Sequence, residues 1–213
     1  MNIAWNIDHP TLLVGVVTAE GVTIAPTSDD GLLVLAERVA RAEPSERTRT
    51  AIRTLLKRGG FKASGRNKPA SEYLAEAKAR GEWPHIFNVV DVNNVLSLET
   101  GWPMSVLDHD KCGDVLQVRF GAEDERYVFN QAGHAIELAG LLGLANDRHM
   151  LGNPVKDAMH AKLDASTTRL VACLWASRDV ASPDAVEAVA KDFAALLVRF
   201  AGARATRVQV LAQ

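Results

Sequence analysis

The chain is expected to form an α+β fold, and three features carry that expectation. Apolar runs of strand type lie near both ends, helices with recognisable start and stop signals lie between them, and no repeat, linker or low-complexity tract divides the 213 residues. Residues 11–18, Leu- and Val-rich, read as a strand, followed by a turn at Gly21 and a second short strand over 22–25. Ser28 and Asp29 offer an N-cap for a helix that runs through Val39 and is stopped by Pro44. Ser45 and Glu46 open the next helix, and Gly59-Gly60 end it after Arg58. Arg49, Arg53 and Lys57 recur every fourth residue, so they share one face of it. Residues 61–69 form a basic loop, which leads into a helix capped by Ser71 and closed by Gly81.

Beyond Pro84, the spacing of Ile86, Phe87, Val89, Val90, Val92, Val95, Leu96 and Leu98 fits a buried helix ending at Gly101, although its β-branched residues leave a strand start open. Strands follow at 115–120 and 126–129. Residues 131–165 carry weak alternation broken by Gly143, Gly152 and Pro154, and no element is assigned to them. Residues 169–175 read as a buried strand, and Ser182-Pro183 starts an amphipathic helix through Phe200. A last strand covers 206–211. One domain spanning 1–213, with its termini paired or close, accounts for all of this.

With 47% hydrophobic residues the chain can bury a core without disulfides or metal. Cys112 and Cys173 are isolated in sequence and read as small core residues in a reducing compartment. Neither a leader peptide nor an eighteen-residue apolar run occurs, so a cytoplasmic protein without membrane contact is expected. Net charge is −2 but uneven. Arg47, Arg49, Arg53, Lys57, Arg58, Lys62, Arg66 and Lys68 follow one another with no acid among them, leaving 16 basic against 26 acidic groups elsewhere. Such a stretch attracts polyanions; its bland alternative is a solvated face paired with acids from other elements.

The polar groups of residues 91–108 stand out against this background. Asp91, Asn93, Asn94, Ser97, Glu99, Ser105 and Asp108 crowd an otherwise apolar helix and the turn after it. Asparagine lowers helix propensity and must be satisfied if buried, and its amide both donates and accepts, which suits a carbonyl, hydroxyl or ribose. Bridging of neighbouring backbone would explain these residues equally well. Pro103 stiffens the turn and can hold Ser105 and adjacent N–H groups in place. No Gly-x-Ser-x-Gly elbow, P-loop or Gly-x-Gly-x-x-Gly is present, so hydrolase-elbow and nucleotide-cofactor chemistry lack support, and no cofactor is expected. Asp108-His109-Asp110 points in three directions and makes a poor metal site. The remaining histidines, including His85, His134 and His149, read as surface or capping residues.

The stretch from Val89 to Gly113 resembles the core of the B3/B4 domain, the tRNA-binding and editing module of the phenylalanyl-tRNA synthetase β subunit. Asp91-Val92-Asn93-Asn94 matches the bacterial Asp-Val-Thr-Asn with one change, and Leu98-Glu99-Thr100-Gly101-Trp102-Pro103-Met104 with Asp108 matches Leu-Glu-x-Gly-Gln-Pro-Met and its later Asp without a gap. Arg66, Lys68, Pro69, Ser71 and Glu72 resemble free-standing members, whose length this chain shares. The resemblance implies helices on a mostly antiparallel sheet and a hydrolase that deacylates misacylated tRNA in trans, by double-sieve logic. It places Asn94 and Ser105 in the pocket as catalytic groups, supported by Asn93, Ser97 and Asp108, with Lys156, Asp157 and His160 contributing from the far side. The tRNA acceptor end would enter that pocket, its phosphates lying along Arg47 to Lys68 with binding that weakens steeply in salt. A monomer is the default. Two departures bear on this: Ser105 stands where bacterial members have histidine, and no Gly-rich segment delivers a glutamate between Leu138 and Leu163. The family acts chiefly on the tyrosyl ester, so an amino acid other than tyrosine, or a fold retained without turnover, fits that pattern. A non-catalytic tRNA- or RNA-binding module is one rival; a small-molecule enzyme or sensor for amino-acid esters or amides is the other.

Overall fold

The computed structural model describes residues 1–43 and 45–213, with the side chain of Arg66 also outside the described set, so the helix stop expected at Pro44 and any role of the Arg66 side chain fall outside the described residues. The chain opens with β1 (Asn2–Trp5), β2 (Leu12–Glu20), α1 (Asp29–Arg41) and α2 (Glu46–Lys57). After a 3-10 turn at Gly65–Asn67 come α3 (Ala70–Arg80), α4 (Asn88–Thr100), β3 (Met104–Asp108) and the single turn α5 (His109–Cys112). Short strands β4 (Val115–Phe120), β5 (Arg126–Val128), β6 (Ala135–Glu137), β7 (Leu142–Ala145) and β8 (Met150–Gly152) precede a 3-10 turn at Met159–Ala161. The chain closes through β9 (Arg169–Ser177), α6 (Pro183–Ala201) and β10 (Ala205–Ala212).

Two four-stranded sheets organise the α+β fold. One has the order β10-β2-β9-β3 and is antiparallel throughout; the other runs β1-β4-β7-β8, with only the β1–β4 pair parallel. The period-2 alternation of β9 sorts the core between them. Leu170, Ala172 and Leu174 face α4 and α6, meeting Val92, Val95, Phe193 and Leu197. Val171, Cys173 and Trp175 face the second sheet, meeting Leu116, Val118, Leu142 and Leu144 together with Leu55 and Leu56 of α2. The central β2–β9 pair is therefore covered on both sides, which explains why both strands read as continuous apolar runs. At Gly15 a Cβ would come within 2.8 Å of Val186 Cγ1, so the glycine lets α6 pack directly onto β2.

Helix starts follow their caps. Ser28, Ser45 and Ser182 accept bonds from the N–H groups of Gly31, Thr48 and Ala185, and Pro183 occupies the first turn of α6. Ser71 does not cap α3: the helix begins at Ala70 with Pro69 in the N-cap position, and Ser71 lies buried inside the first turn. The strand expected over 22–25 is absent. Val22 and Thr23 instead donate to Thr168 O and Ala201 O, tying the end of β2 to the start of β9 and the end of α6 without a ladder. The unassigned region 131–165 holds β6, β7 and β8, each three or four residues long. β3 follows directly on the Gly101 turn, where only a turn is expected from sequence. No helix among the described residues is long and apolar enough to cross a membrane.

Candidate functional site

The helix–turn–strand unit of α4, Gly101 and β3 forms one wall of a cavity. Gly101 adopts φ 70°, a left-handed conformation that ends α4 and reverses the chain into β3. β3 is an edge strand, pairing β9 on one side only. Its residues Met104 and Val106 face the α4 side, while Ser105 and Leu107 face the opposite core. The segment after β8, residues 153–163, passes beside that open edge and closes the other wall. Between the walls lies a cavity of about 690 Å³, lined by Asn93, Asn94, Lys156 and Asp157 among apolar groups that include Phe87, Val90, Met159 and Leu163. A second hollow of about 500 Å³ continues along α4 past Asn93, Asn94 and Ser97 to Tyr73 and Leu74. This volume matches the usual range for small-ligand sites.

Only part of the polar cluster in residues 91–108 faces this space. Asp91 accepts from Thr27 Oγ1 at 2.6 Å and from the N–H of Ile86 at 2.8 Å, which pins the start of α4. Glu99 is held by Arg38, which also reaches Asp192. Ser97 donates to Trp102 O at 2.7 Å, securing the Gly101 turn. Asp108 caps α5, accepting from the N–H groups of Asp110 and Lys111, and receives the Thr167 hydroxyl. These four brace the scaffold; of them, only Ser97 borders the second hollow.

Asn93 and Asn94 differ. Asn93 is 6% exposed, donates weakly to Asn94 Oδ1 at 3.5 Å, and its own Oδ1 is buried with no partner among the described residues. Because its Oδ1 already receives Asn93, Asn94 presents its NH2 group for other partners. Ser105 is fully buried beneath the wall, not in it. It donates to Asn153 O at 3.3 Å and accepts from Trp175 Nε1 at 3.2 Å. Ser105 thus fastens β3 to the 153–157 segment.

That segment is built by Asn153. Its side chain accepts from the N–H groups of Val155 and Lys156 and donates to Tyr127 Oη, which in turn donates to Lys156 O. This turn delivers Lys156 and Asp157 to the cavity. Lys156 Nζ sits 4.2 Å over the Phe129 ring, and Lys162 Nζ donates to Phe129 O at 2.7 Å. Asp157 is half-buried at the cavity lining, and its Oδ1 points toward Gly152 on the Leu107 side, with no hydrogen-bond partner among the described residues. Burial pushes its carboxyl up to about 6; the Ser105 hydroxyl, the charge on Lys162 and the N–H groups of Asn153 and Val106 act in the opposite sense. The same burial, with Asp157 beside it, holds the Tyr127 phenol well above its ordinary value. His160 lies outside the cavity lining, exposed and packed edge-on to His149 at 5.8 Å.

The basic stretch is largely neutralised. Arg49 pairs with Glu46, Arg53 binds Glu72 through two bonds of 2.6 and 2.5 Å, Arg58 reaches Asp8, and Lys68 pairs with Glu76 while lying over Tyr73. Arg47 donates to Asp179 O. Lys57 and Lys62 make no ion pair among the described residues. No group of three or more His, Cys, Asp or Glu among the described residues is placed to hold a metal.

Residues 60–202 match the B3/4 domain. The chain belongs to the B3/4 domain family. The match spans well over half the chain and contains α3, α4, β3 and the whole 153–163 wall, so every cavity residue named above lies within it. Among solved structures, an N-terminal fragment of the phenylalanyl-tRNA synthetase β-subunit from Pyrococcus horikoshii shares 9% identity at a TM-score of 0.45, covering 99% of this chain. The chain spans 50% of that fragment. No curated protein matches the sequence. Within this B3/4 domain the Asn93-Asn94 pair is the sequence signal that falls on the cavity wall. Asp157, also singled out in the sequence, follows a Gly-Asn-Pro turn where the chain folds back on itself.

Proposed function

We propose that this B3/4 domain hydrolyses the ester of aminoacylated tRNA, releasing amino acid from the 3′ end. The observation that carries the reading is a ligand-sized cavity lined on α4 by Asn93, whose Oδ1 is buried without a hydrogen-bond partner among the described residues, and by Asn94. A buried polar atom left unsatisfied is costly, and such atoms persist where a ligand completes them. Membership of the B3/4 family supports a tRNA substrate, and the cavity has the volume for an aminoacyl group joined to a terminal nucleoside.

In this mechanism water adds to the ester carbonyl carbon, the bond to the ribose oxygen breaks, and the proton from water passes to that oxygen. The Asn94 NH2 donates to the carbonyl oxygen as negative charge develops there. Fixing the ester against that donor supplies proximity and oxyanion stabilisation together. An aminoacyl ester is already activated, and the neighbouring ribose hydroxyl can relay the proton, so no histidine is required. Ser105 is assigned to scaffolding, since it is fully buried and its hydroxyl serves Asn153 O, Trp175 Nε1 and the neighbouring Asp157 carboxyl. Phosphate contacts are assigned to Lys57 and Lys62 and not to the arginines locked on acids.

The test is amino-acid release from a panel of charged and mischarged tRNAs by wild type and Asn94→Ala. Turnover of at least one ester, reduced at least about 100-fold in the variant, is expected for loss of one oxyanion donor. Decay of every ester at the uncatalysed rate would refute the reading.

A further inference from the structure

β10 is the longest sheet edge among the described residues. It pairs with β2 over eight residues without a bulge, and its backbone makes no hydrogen bond on the other side among the described residues. The remaining edges of the two large sheets are short or covered: β1 and β8 have four and three residues, and the 153–163 segment passes beside β3. Every second residue of β10 therefore turns an N–H and a C=O outward. Natural edges are protected by proline, lysine, a bulge or a covering element, and residues 205–212 have none of these, with Arg207 their single charge. We propose that β10 is the contact surface for a second copy of this chain, the two strands pairing antiparallel about a two-fold axis into one eight-stranded sheet. This inference is independent of the hydrolase reading.

The strand is complementary to itself. Residues opposite each other across a ladder point to the same face, so a two-fold axis perpendicular to the sheet must pass beside one residue and its own copy. Centred on Val208, the pairing sets Val208 against Val208, Thr206 against Val210 and Arg207 against Gln209. Thr206, Val208 and Val210 are half-buried, and Val208 and Val210 pack on the side of α6, so β-branched side chains meet one another there and extend its apolar layer. Arg207 and Gln209 are exposed on the other face, so polar meets polar. A centre at Arg207 would oppose two arginines, and a centre at Gln209 would set Arg207 against Leu211. This match selects a second copy over an unrelated extended peptide, which would gain the main-chain bonds alone. The cavity lies at the far edge of the sheet, beside β3, so pairing at β10 leaves both copies of it uncovered.

Analytical ultracentrifugation of the full chain from about 1 to 200 μM measures the assembly. Wild type is expected to reach twice the chain mass within that range. Gln209→Lys sets a lysine against the partner copy's arginine at two symmetric places and is expected to raise the dimer Kd about tenfold. Gln209→Glu sets a carboxylate there and is expected to lower it about tenfold. Gln209 is exposed, so thermal melts of both variants should match wild type. Hydrogen exchange gives a second reading: β10 amides of wild type are expected to be protected at high concentration and to lose protection on dilution. Should either variant melt early, this reading decides alone, since loss on dilution supports the pairing and unchanged exchange refutes it. A monomer at every concentration, or a dimer whose Kd ignores the charge at 209, would overturn the proposal. The first of these results would leave the edge to a strand from another protein.

Discussion

Replacing Asp157 by asparagine should stabilise the unliganded protein at alkaline pH and do nothing at acid pH. Burial raises this carboxyl from an ordinary 3.8 to about 6. That difference corresponds to about 3 kcal/mol, and contact with cavity solvent reduces it to about 2 kcal/mol. Above pH 6 the carboxyl is ionised in folded and unfolded chains alike, so the folded state bears the full desolvation cost. Between pH 6 and 4 the folded chain takes up a proton that the unfolded chain does not, and the cost falls away. Below pH 4 both are neutral. The Asp157→Asn variant should therefore be about 2 kcal/mol more stable than wild type at pH 8, with the gain shrinking from pH 6 to pH 4. Urea titrations of both proteins at pH 8, 6 and 4 read this directly, because other titrating groups cancel in the difference. Loss of stability at pH 8, or a gain independent of pH, would refute the reasoning that the burial cost of this charge exceeds what its hydrogen bonds and Lys162 return. Such a cost fits a binding site, where function opposes stability.

Ser105→Ala should cost about 1–3 kcal/mol of stability by leaving Trp175 Nε1 and Asn153 O without partners, while turnover stays within about threefold. Intact stability with abolished turnover would instead return the hydroxyl to the reaction. Arg53→Glu should destabilise the fold by about 2 kcal/mol, because Glu72 is buried with a side-chain exposure of 8%; the figure is cut from the fully buried case since Arg53 itself is 42% exposed. Lys57→Glu with Lys62→Glu should leave thermal stability unchanged and flatten the salt dependence of tRNA binding. An unaltered salt slope in that pair would exclude them from phosphate contact.

Elements governed by local chemistry were legible before the structure. Ser28, Ser45 and Ser182 cap their helices through their own side chains, and Gly81 and Gly101 end theirs in the left-handed region. What escaped was non-local. β3 is an edge strand defined by its ladder to β9, and β6, β7 and β8 are too short to show alternation. Polarity alone did not sort the 91–108 cluster, since Asp91 and Asp108 look like site residues in sequence and serve as backbone acceptors in the fold. The run from Arg47 to Lys68 reads as a phosphate track until Glu46, Glu72, Glu76 and Asp8 are seen to neutralise four of its members. Asn93 and Asn94 were visible because asparagine is out of place on an apolar helix.

The most direct test of the account is release of labelled amino acid from individually charged and mischarged tRNAs, with wild type, Asn94→Ala and a protein-free control run side by side. The account predicts catalysed release from at least one ester bearing an apolar amino acid, with the Asn94→Ala rate about 100-fold lower. Release at the control rate from every tRNA, or full activity in the variant, would contradict it.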